Sequence, residues 1–565
     1  MRNHSLTSAC RQPHGVILIV VLVLVVMISL AGFTFMNRMA TEYEATLIHG
    51  DLRQAHQTLA SAETFLVYLA EQQAGQPEPY NQLLHNHGLF SSRIIRPVSG
   101  LEAASAPSRS SKPARLRWRF SVVNNLTDRP DQAGQESVIP EGSQFQGVRF
   151  GLQNESGKLH LGRVMLWENE MPGAGRTALM QCPGMTPEAA DSVLDWIDSD
   201  DEPRQFGAER EYYSQLDQPY APRNGIPESL EELLFVKGVT RDSLYGEGQR
   251  QEVESQANDA WTELLTLHSA EADQTRSGRD RIDLNDVYPS DYTGQESGHP
   301  AELSFLPAAL VRYILLARLY GISYSADFVN DAEDFGPVTE PQTESSMAEI
   351  EMTDVEFLDL EDISSLADLI GTSVQLPRAR GGHLLHSPLN SDTSEFLETM
   401  KQLEERVTVS SDDTLLGRIN VNTAAEPVLR ALIGDAQIAS QIVEQRHMAD
   451  PWERETTAWL LTRQILDLPT YRRIYPHITT RGAVHSGEII VYREFGGPFL
   501  RRRLIIDASS QPARRVAWVD LTEDGLPVDL SALRSQRSEF ADAVEFDGPS
   551  AGSGGMGHNL NRVVR

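Results

Sequence analysis

The sequence predicts an α+β fold in which a long N-terminal helix leads into an antiparallel sheet, and a large helical domain is inserted between the first and last strands of that sheet. Three observations lead to this prediction. Residues 16–36 form an uncharged apolar run that continues into a helical pattern without proline. Short segments typical of strands occur before residue 162 and again after residue 487. Between them lie helical segments separated by short turns that contain glycine.

The N-terminal apolar run is long enough to cross a bilayer, since about 20 helical residues at 1.5 Å each span the hydrocarbon core. Arg2 and Arg11 precede the run and no acidic residue does, which favours a cytoplasmic N-terminus with the rest of the chain across the membrane. The run exceeds the apolar core of a secretory signal peptide, which has about 7–15 residues. Two interpretations stay open: an uncleaved anchor, or a leader that is cut after Gly15 to free the amine of Val16.

The helical pattern continues beyond the apolar run to about residue 72, with one glycine and no proline after residue 36. A single helix over residues 16–72 would be on the order of 85 Å long. Its first part would lie in lipid, and an apolar stripe along its second part would pack against a folded domain. The stripe comprises Leu47, Leu52, Leu59, Ala62, Leu66 and Leu69.

The composition narrows the possible functions. The chain of 565 residues has 80 acidic and 49 basic residues, giving a formal net charge of −31. A body this acidic repels phosphate backbones and attracts cations, which disfavours general nucleic-acid binding. The sequence has no P-loop and no H-E-x-x-H motif. We therefore expect the chain to act by assembly rather than by catalysis.

Six segments are predicted to be strands, and in the first of them, residues 115–124, basic or polar residues alternate with apolar ones. Three precede the helical region and three follow it, so that the last three would complete the sheet that the first three begin. The segments are residues 115–124, 147–152, 157–161, 488–492, 499–506 and 515–521.

A helix–turn–helix pattern recurs in the inserted region. Gly184, Gly238 and Gly434 lie in its turns, where glycine readily adopts the left-handed backbone that a tight turn requires. Such SAM-like or helix-hairpin-helix units either pack as small structural modules or bind DNA phosphates through backbone N–H groups. Acidic residues beside the turns oppose phosphate and favour the packing role. The segments are residues 180–196, 230–245 and 424–446, with a weaker one at 363–374.

An acidic block follows the first of these segments and predicts a metal site. Asp191, Asp195 and Asp198 have the spacing of residues on one helix face. From Asp198 on, carboxylates fall at positions 1, 3, 5 and 12 of a calcium-loop spacing, and closely spaced hard oxygen ligands suit calcium. The predicted ligands are Asp195, Asp198, Asp200, Glu202 and Glu209.

The acidic block is not an EF-hand, because Pro203 occupies position 6, where that loop needs glycine. A second interpretation is a solvated acidic loop whose charges pair with Arg204 and Arg210. The sequence alone leaves both interpretations open.

Eight short segments carry a resemblance to a known family: 157–161 (GKLHL), 191–204 (DSVLDWIDSDDEPR), 207–209 (GAE), 212–213 (YY), 224–227 (NGIP), 229–233 (SLEEL), 236–239 (VKGV) and 417–424 (GRINVNTA). In this order they resemble the K-type minor pseudopilins of type II (general) secretion systems. The DWID, GAE and YY pieces are the most specific, whereas GRINVNTA also occurs in competence-type DNA receptors. His160 and Gly162 stand where the family pattern has asparagine, and residues 246–409 form an enlarged acidic insertion.

The resemblance implies a pilin-like α+β fold whose leader is removed after Gly15 by a prepilin peptidase. It implies a single-pass protein of the inner (cytoplasmic) membrane, with a cytoplasmic N-terminus and the bulk of the chain periplasmic. Most pilin-like subunits carry glutamate at the fifth mature position, and its carboxylate pairs in lipid with the N-terminal amine of the subunit above. That position is Val20 here, which implies a place at the tip, where no subunit lies above.

The implied function is that of a minor pseudopilin at the tip of the pseudopilus, which nucleates assembly for the export of folded proteins across the outer membrane. The implied partners are other minor pseudopilins, the major pseudopilin, the prepilin peptidase and the inner membrane, with no nucleic acid. The resemblance also implies calcium in the helical domain. Two alternatives are a membrane-anchored helix-hairpin-helix protein of DNA binding or uptake, and a generic anchored scaffold.

Together these inferences divide the chain into eight regions. They are a leader (1–15), a transmembrane and stalk helix (16–72), the first part of the β domain (73–162), a first SAM-like module (163–245), an acidic insertion (246–409), a second SAM-like or helix-hairpin-helix module (410–480), strands that complete the β domain (481–540) and a disordered tail (541–565).

Overall fold

A computed structural model describes residues 14–77, 81–84, 86–94, 118–125, 148–246, 260–287, 303–324, 360–376, 384–494, 496–528 and 530–535. Several predicted features lie outside the described residues. They are the leader up to residue 13, the first residues of the strand predicted at 115–124, most of the acid-rich part of the predicted insertion, and the predicted tail.

The helices range from single turns to one that dominates the N-terminal region. In chain order they are α1 (His14–Gln73), α2 (His87–Phe90), α3 (Leu161–Glu170), α4 (Ala174–Leu179), α5 (Pro187–Ile197), α6 (Arg210–Ser214), α7 (Arg241–Tyr245), α8 (Trp261–Leu264), α9 (Ala308–Tyr320), α10 (Phe396–Arg406), α11 (Glu426–Ile433), α12 (Ala436–Met448), α13 (Trp459–Thr462), α14 (Leu468–Ile474) and α15 (Leu530–Ser535).

The strands are short except for those of one large sheet. In chain order they are β1 (Arg93–Ile94), β2 (Trp118–Asn125), β3 (Val148–Phe150), β4 (Gln153–Asn154), β5 (Leu159–His160), β6 (Leu265–Thr266), β7 (Ala270–Ala272), β8 (Ile282–Asp283), β9 (Ser373–Gln375), β10 (Leu384–His386), β11 (Val407–Thr408), β12 (Thr414–Leu416), β13 (Ile419–Asn420), β14 (Ile478–Thr479), β15 (Val484–Arg493), β16 (Phe499–Asp507) and β17 (Arg514–Asp520).

Helix α1 is continuous, and its two halves have different surroundings. Within the described chain it is the helix that is long and apolar enough to cross a membrane. Large apolar side chains from Ile17 to Ile48 are exposed, and among them Leu47 of the predicted stripe is 52% exposed. Packing therefore begins later along α1 than predicted. Its buried positions recur every three or four residues, at Ala55, Leu59, Ala62, Leu66 and Ala70.

The packed half of α1 lies against a seven-stranded sheet with the order β1–β2–β15–β16–β17, in which β3 pairs with β2 and β4 pairs with β15. All these pairs are antiparallel. Val122 of β2 lies opposite Ile489 of β15, and Phe65 of α1 meets Phe120 of β2 edge-to-face with ring centroids 6.1 Å apart. Strands from both ends of the chain thus form one layer, and the helical region is inserted between them.

The inserted region has its own core, which extends in sequence from Leu159 to Ile478. Described parts of the predicted acidic insertion belong to that core. Trp261 is buried, and α9 buries most of its length. Two-stranded ladders β5–β6, β7–β12 and β8–β11 join these parts to flanking segments. In its described parts, the 246–409 stretch is therefore integral to the helical domain rather than appended to it.

The predicted α+β content and the N-terminal apolar helix are confirmed. Helices flank Gly184, Gly238 and Gly434, and all three glycines have positive φ, at 69°, 81° and 82°. The segment predicted at 180–196 contains only the second helix of its pair, because α4 ends at Leu179. In the second pair the first helix is a 3-10 helix, Leu230–Phe235. Whether these pairs are of the SAM-like or helix-hairpin-helix class stays a prediction.

Two local predictions are wrong. Residues 363–374 do not form a helix pair: a 3-10 helix, Leu366–Leu369, turns at Gly371 into strand β9. The strand predicted at 157–161 is reduced to β5, because α3 begins at Leu161. His160 ends the strand by capping α3, since its ring nitrogen accepts a hydrogen bond from the Arg163 amide.

Candidate metal centre

The predicted metal ligands lie where α5 ends and α6 begins. The Thr186 hydroxyl caps α5 by accepting from the Ala189 amide, and Pro187 occupies the first helical turn. Asp195 projects from the last turn of α5, Asp198 is its C-terminal cap residue, and Glu209 precedes the first residue of α6. The loop between the two helices brings these three side chains together.

One carboxylate oxygen from each of Asp195, Asp198 and Glu209 lies within 4.8 Å of the other two, and all three residues are buried. We call these residues the acidic cluster. Their exposed fractions are 0%, 8% and 3%. Burial of several like charges this close together is unfavourable unless positive charge compensates it.

Arg204 supplies part of that compensation. Its Nη1 lies 2.7 Å from Oδ1 of Asp195 and 2.5 Å from Oδ2 of Asp198. The backbone amide of Arg204 also donates to Oδ2 of Asp195 at 3.2 Å. The loop is therefore tied to the end of α5 through both the main chain and the side chain of one residue.

Three oxygens of the acidic cluster have no hydrogen-bond partner: Oδ1 of Asp198 and both carboxylate oxygens of Glu209. Burial, followed by the charges of Asp195 and Asp198, raises the pKa of Glu209 to about 7. A hard divalent cation would satisfy these oxygens with the ligand type that it prefers. The side chains of the acidic cluster thus fit a calcium-type ion.

Asp200 and Glu202, the other two predicted ligands, are not brought into the acidic cluster. Both are exposed, and Oδ1 of Asp200 accepts from the Glu202 amide at 2.8 Å in a local turn. Asp191 lies one helical turn before Asp195 and pairs with Arg176 at 2.7 Å. Of the carboxylates with calcium-loop spacing, the first and last, Asp198 and Glu209, therefore meet in space, whereas Asp200 and Glu202 between them do not.

The alternative pairing predicted for this loop is also present. Arg204 pairs within the acidic cluster, whereas Arg210 lies 3.5 Å from Asp201 at the surface, where both side chains are more than half exposed. Ion pairing and metal binding are therefore compatible interpretations of the block.

Gly207 contributes to the site in a way that the sequence analysis did not anticipate. A Cβ atom at this position would lie 1.8 Å from Oδ2 of Asp195, so only glycine fits without a shift. Asn224 fixes the other side of the loop, since its Nδ2 donates to the Asp200 carbonyl at 2.6 Å. The GAE and NGIP segments contained both residues, but only the fold reveals what they contact.

An apolar helix that continues as a stalk on an antiparallel sheet, with a helical domain inserted in that sheet, defines a pilin-like subunit whose N-terminal helix fits a single-pass anchor. Two family models match the chain, and both are described as type II secretion system (T2SS), protein K. They cover residues 174–246, which include the acidic cluster, and residues 419–460. Both matched regions point to the protein K family of the type II secretion system, and they support a minor pseudopilin role for the chain.

A solved structure with a similar chain is the crystal structure of the GspK–GspI–GspJ complex from the type 2 secretion system of enterotoxigenic Escherichia coli. The similarity covers 84% of this chain and 98% of the matched chain, at 9% sequence identity and a TM-score of 0.34. No curated protein matches the chain. The identification therefore depends on the two family models.

Proposed function

We propose that this minor pseudopilin occupies the tip of the pseudopilus and nucleates its assembly. The observation that carries the proposal is the uncharged apolar part of α1, in which Val20 stands at the fifth position counted from Val16. A carboxylate there would need a cation within lipid, and pilin-like subunits obtain one from the subunit above. A subunit at the tip has no such neighbour and needs no carboxylate.

The N-terminus tests the processing step on which this proposal depends. Mass spectrometry of the full chain purified from its native host should find a chain that starts at Val16. An intact Met1 would contradict cleavage after Gly15 and would favour an uncleaved anchor.

A substitution at Val20 tests the tip position directly. In a host that lacks the native gene, Val20→Glu should restore secretion at least tenfold less well than Val20→Leu, because a carboxylate without a partner in lipid is costly. Equal complementation by the two variants would contradict the tip position.

We propose further that the chain is inserted in the inner membrane with its N-terminus cytoplasmic and its folded body periplasmic, and that it acts without catalysis. The exposed apolar part of α1 would pack beside the anchors of other minor pseudopilins and of the major pseudopilin. The matched crystal structure is named as a complex of GspK with GspI and GspJ. Cysteine cross-linking from Leu47, on the exposed half of α1, should trap another pseudopilin, whereas the same probe at buried Leu66 should not.

We propose, finally, that the acidic cluster holds calcium. The unpartnered oxygens of Glu209 and Asp198 support this assignment, and the bound ion would supply the positive charge that the cluster lacks. Calcium should raise the melting temperature of the full chain in detergent, and Glu209→Gln should abolish the increase. Asp201→Asn, at an exposed position beside the cluster, is the control and should retain it. An equal calcium effect in Glu209→Gln would contradict the assignment.

A further inference from the structure

A positive charge is already built into the acidic cluster. The Arg204 side chain is only 24% exposed, and its guanidinium lies between Asp195 and Asp198. In the same loop, Arg210 forms an ordinary surface ion pair with Asp201. Their charged atoms are 3.5 Å apart, and both side chains are more than half exposed. Arg204 differs because it is part of the site that would hold the ion.

The carboxylate oxygens that Arg204 contacts are different from those that lack a partner. The guanidinium occupies Oδ1 of Asp195 and Oδ2 of Asp198. The oxygens without partners are Oδ1 of Asp198 and both oxygens of Glu209. Asp198 thus offers one oxygen to the arginine and the other to a metal ion, so the two cations would use different oxygens.

The charges agree with simultaneous occupancy. With all three carboxylates ionised, as they would be around a bound metal ion, one guanidinium leaves two net negative charges in the acidic cluster. A divalent ion neutralises that remainder, whereas a monovalent ion leaves one charge and a trivalent ion adds an excess. Because unbalanced charge is costly in a buried site, the number of fixed positive charges helps to select the valence of the ion.

We propose that Arg204 is a resident counter-ion that stays on Asp195 and Asp198 when the metal binds and sets the acidic cluster to accept a divalent ion. This inference rests on the calcium assignment proposed above. It makes Arg204 a positioning and selectivity residue, because it orients two ligands without being one. The backbone amide of Arg204 reinforces the role, since it holds Asp195 even when the side chain is changed.

Three variants of the full chain in detergent test the proposal. Arg204→Gln removes the charge, Arg204→Lys keeps it, and Arg210→Gln removes a comparable charge from the exposed pair. Melting temperatures are measured in a chelator and in saturating calcium, and the affinities for calcium and lanthanum are measured by calorimetry.

We expect Arg204→Gln to melt below the wild-type chain both in the chelator and in saturating calcium. We also expect its affinity for lanthanum relative to calcium to rise by about tenfold, since the cluster would then carry three negative charges. Arg204→Lys should keep the wild-type ratio, and Arg210→Gln should change neither measurement. If Arg204→Gln folds poorly, the ratio of lanthanum to calcium affinity in Arg204→Lys still tests the proposal.

Two results would overturn the inference in different ways. If the melting difference between wild type and Arg204→Gln is present in the chelator but disappears in saturating calcium, the metal displaces Arg204, and the resident role alone is wrong. If the wild-type chain takes up neither calcium nor lanthanum, the calcium assignment fails and the inference fails with it.

Discussion

Two buried carboxylate clusters in the helical domain differ in how completely arginine neutralises them. In the first, Glu271 and Asp273 both pair with Arg281, at 2.8 and 2.9 Å, and the Thr479 hydroxyl donates to Glu271 at 2.7 Å. In the second, the acidic cluster, one arginine contacts two of three carboxylates and Glu209 has no partner. The first is neutralised by the protein itself, because Arg418 also lies 3.8 Å from Glu271, whereas the second is left with negative charge.

The electrostatics of the two clusters follow from this difference. Burial alone would raise the pKa of Glu271, but Arg281, Arg418 and Arg481 outweigh it and lower the pKa to about 2. For Glu209, burial and the neighbouring carboxylates act in the same direction and raise the pKa to about 7. The comparison teaches that the number of arginines, rather than burial, distinguishes a structural cluster from a candidate ligand site.

Removing the central arginine of the balanced cluster should have the largest effect. Arg281→Met leaves two buried carboxylates without their partner and should reduce the free energy of unfolding by about 3–5 kcal/mol. Denaturant unfolding of the full chain in detergent measures it, with exposed Arg210→Met as the control. A loss no larger than that of the control would mean that the arginine does not compensate these carboxylates.

The pH dependence of the unfolding free energy should show the second-largest effect. The folded pKa of Glu271 is depressed, so its stabilisation is complete above about pH 4.5 and is lost as the pH falls towards 2. The difference in unfolding free energy between wild type and Glu271→Gln should therefore shrink by roughly 3 kcal/mol over that range. The exposed Asp412→Asn variant is the reference, and a difference that does not depend on pH would contradict the pairing.

Adding one methyl group to the acidic cluster should have an intermediate effect. Gly207→Ala places a carbon against Asp195 and should cost about 1–3 kcal/mol, together with most of the calcium-induced rise in melting temperature. Gly225→Ala is the matched control, because its Cβ meets its nearest heavy atom at 3.9 Å. Equal behaviour of the two variants would show that the loop relaxes around Asp195.

The smallest effect is expected from neutralising the unpartnered carboxylate. In a chelator, Glu209→Gln should leave the chain as stable as wild type or more stable by about 1 kcal/mol, because a buried charge without a partner is removed. The same type of change in the balanced cluster, Glu271→Gln, should be destabilising at neutral pH. If both variants lose stability in the chelator, the two clusters do not differ in the way described.

The sequence predicted those features that depend on neighbouring residues. The extent of α1 follows from the absence of proline, and the strands β15, β16 and β17 follow from short segments rich in β-branched, leucine and aromatic residues, each within a few residues of its predicted ends. Asp195, Asp198 and Glu209 were predicted as ligands together with Asp200 and Glu202, which face solvent. Spacing fixes which carboxylates are close along the chain, but it does not fix which way a loop turns.

Features that depend on distant residues could not be predicted. The Arg281 cluster joins β7 to Thr479 of β14 across about 200 positions, and no local pattern marks it. For the same reason the 246–409 stretch was interpreted as an insertion, although its described parts share the core of the helical domain. The contact of Gly207 with Asp195 likewise required the fold.

The pairing of β2 with β15 has a consequence for how the protein is made. Because the two strands are separated by the whole helical domain, the sheet that covers the apolar stripe of α1 is completed only when nearly the whole chain has been synthesised. A truncated chain would expose that stripe to proteases and chaperones. Only a chain that includes β15 and β16 can therefore complete the packing of the stalk helix.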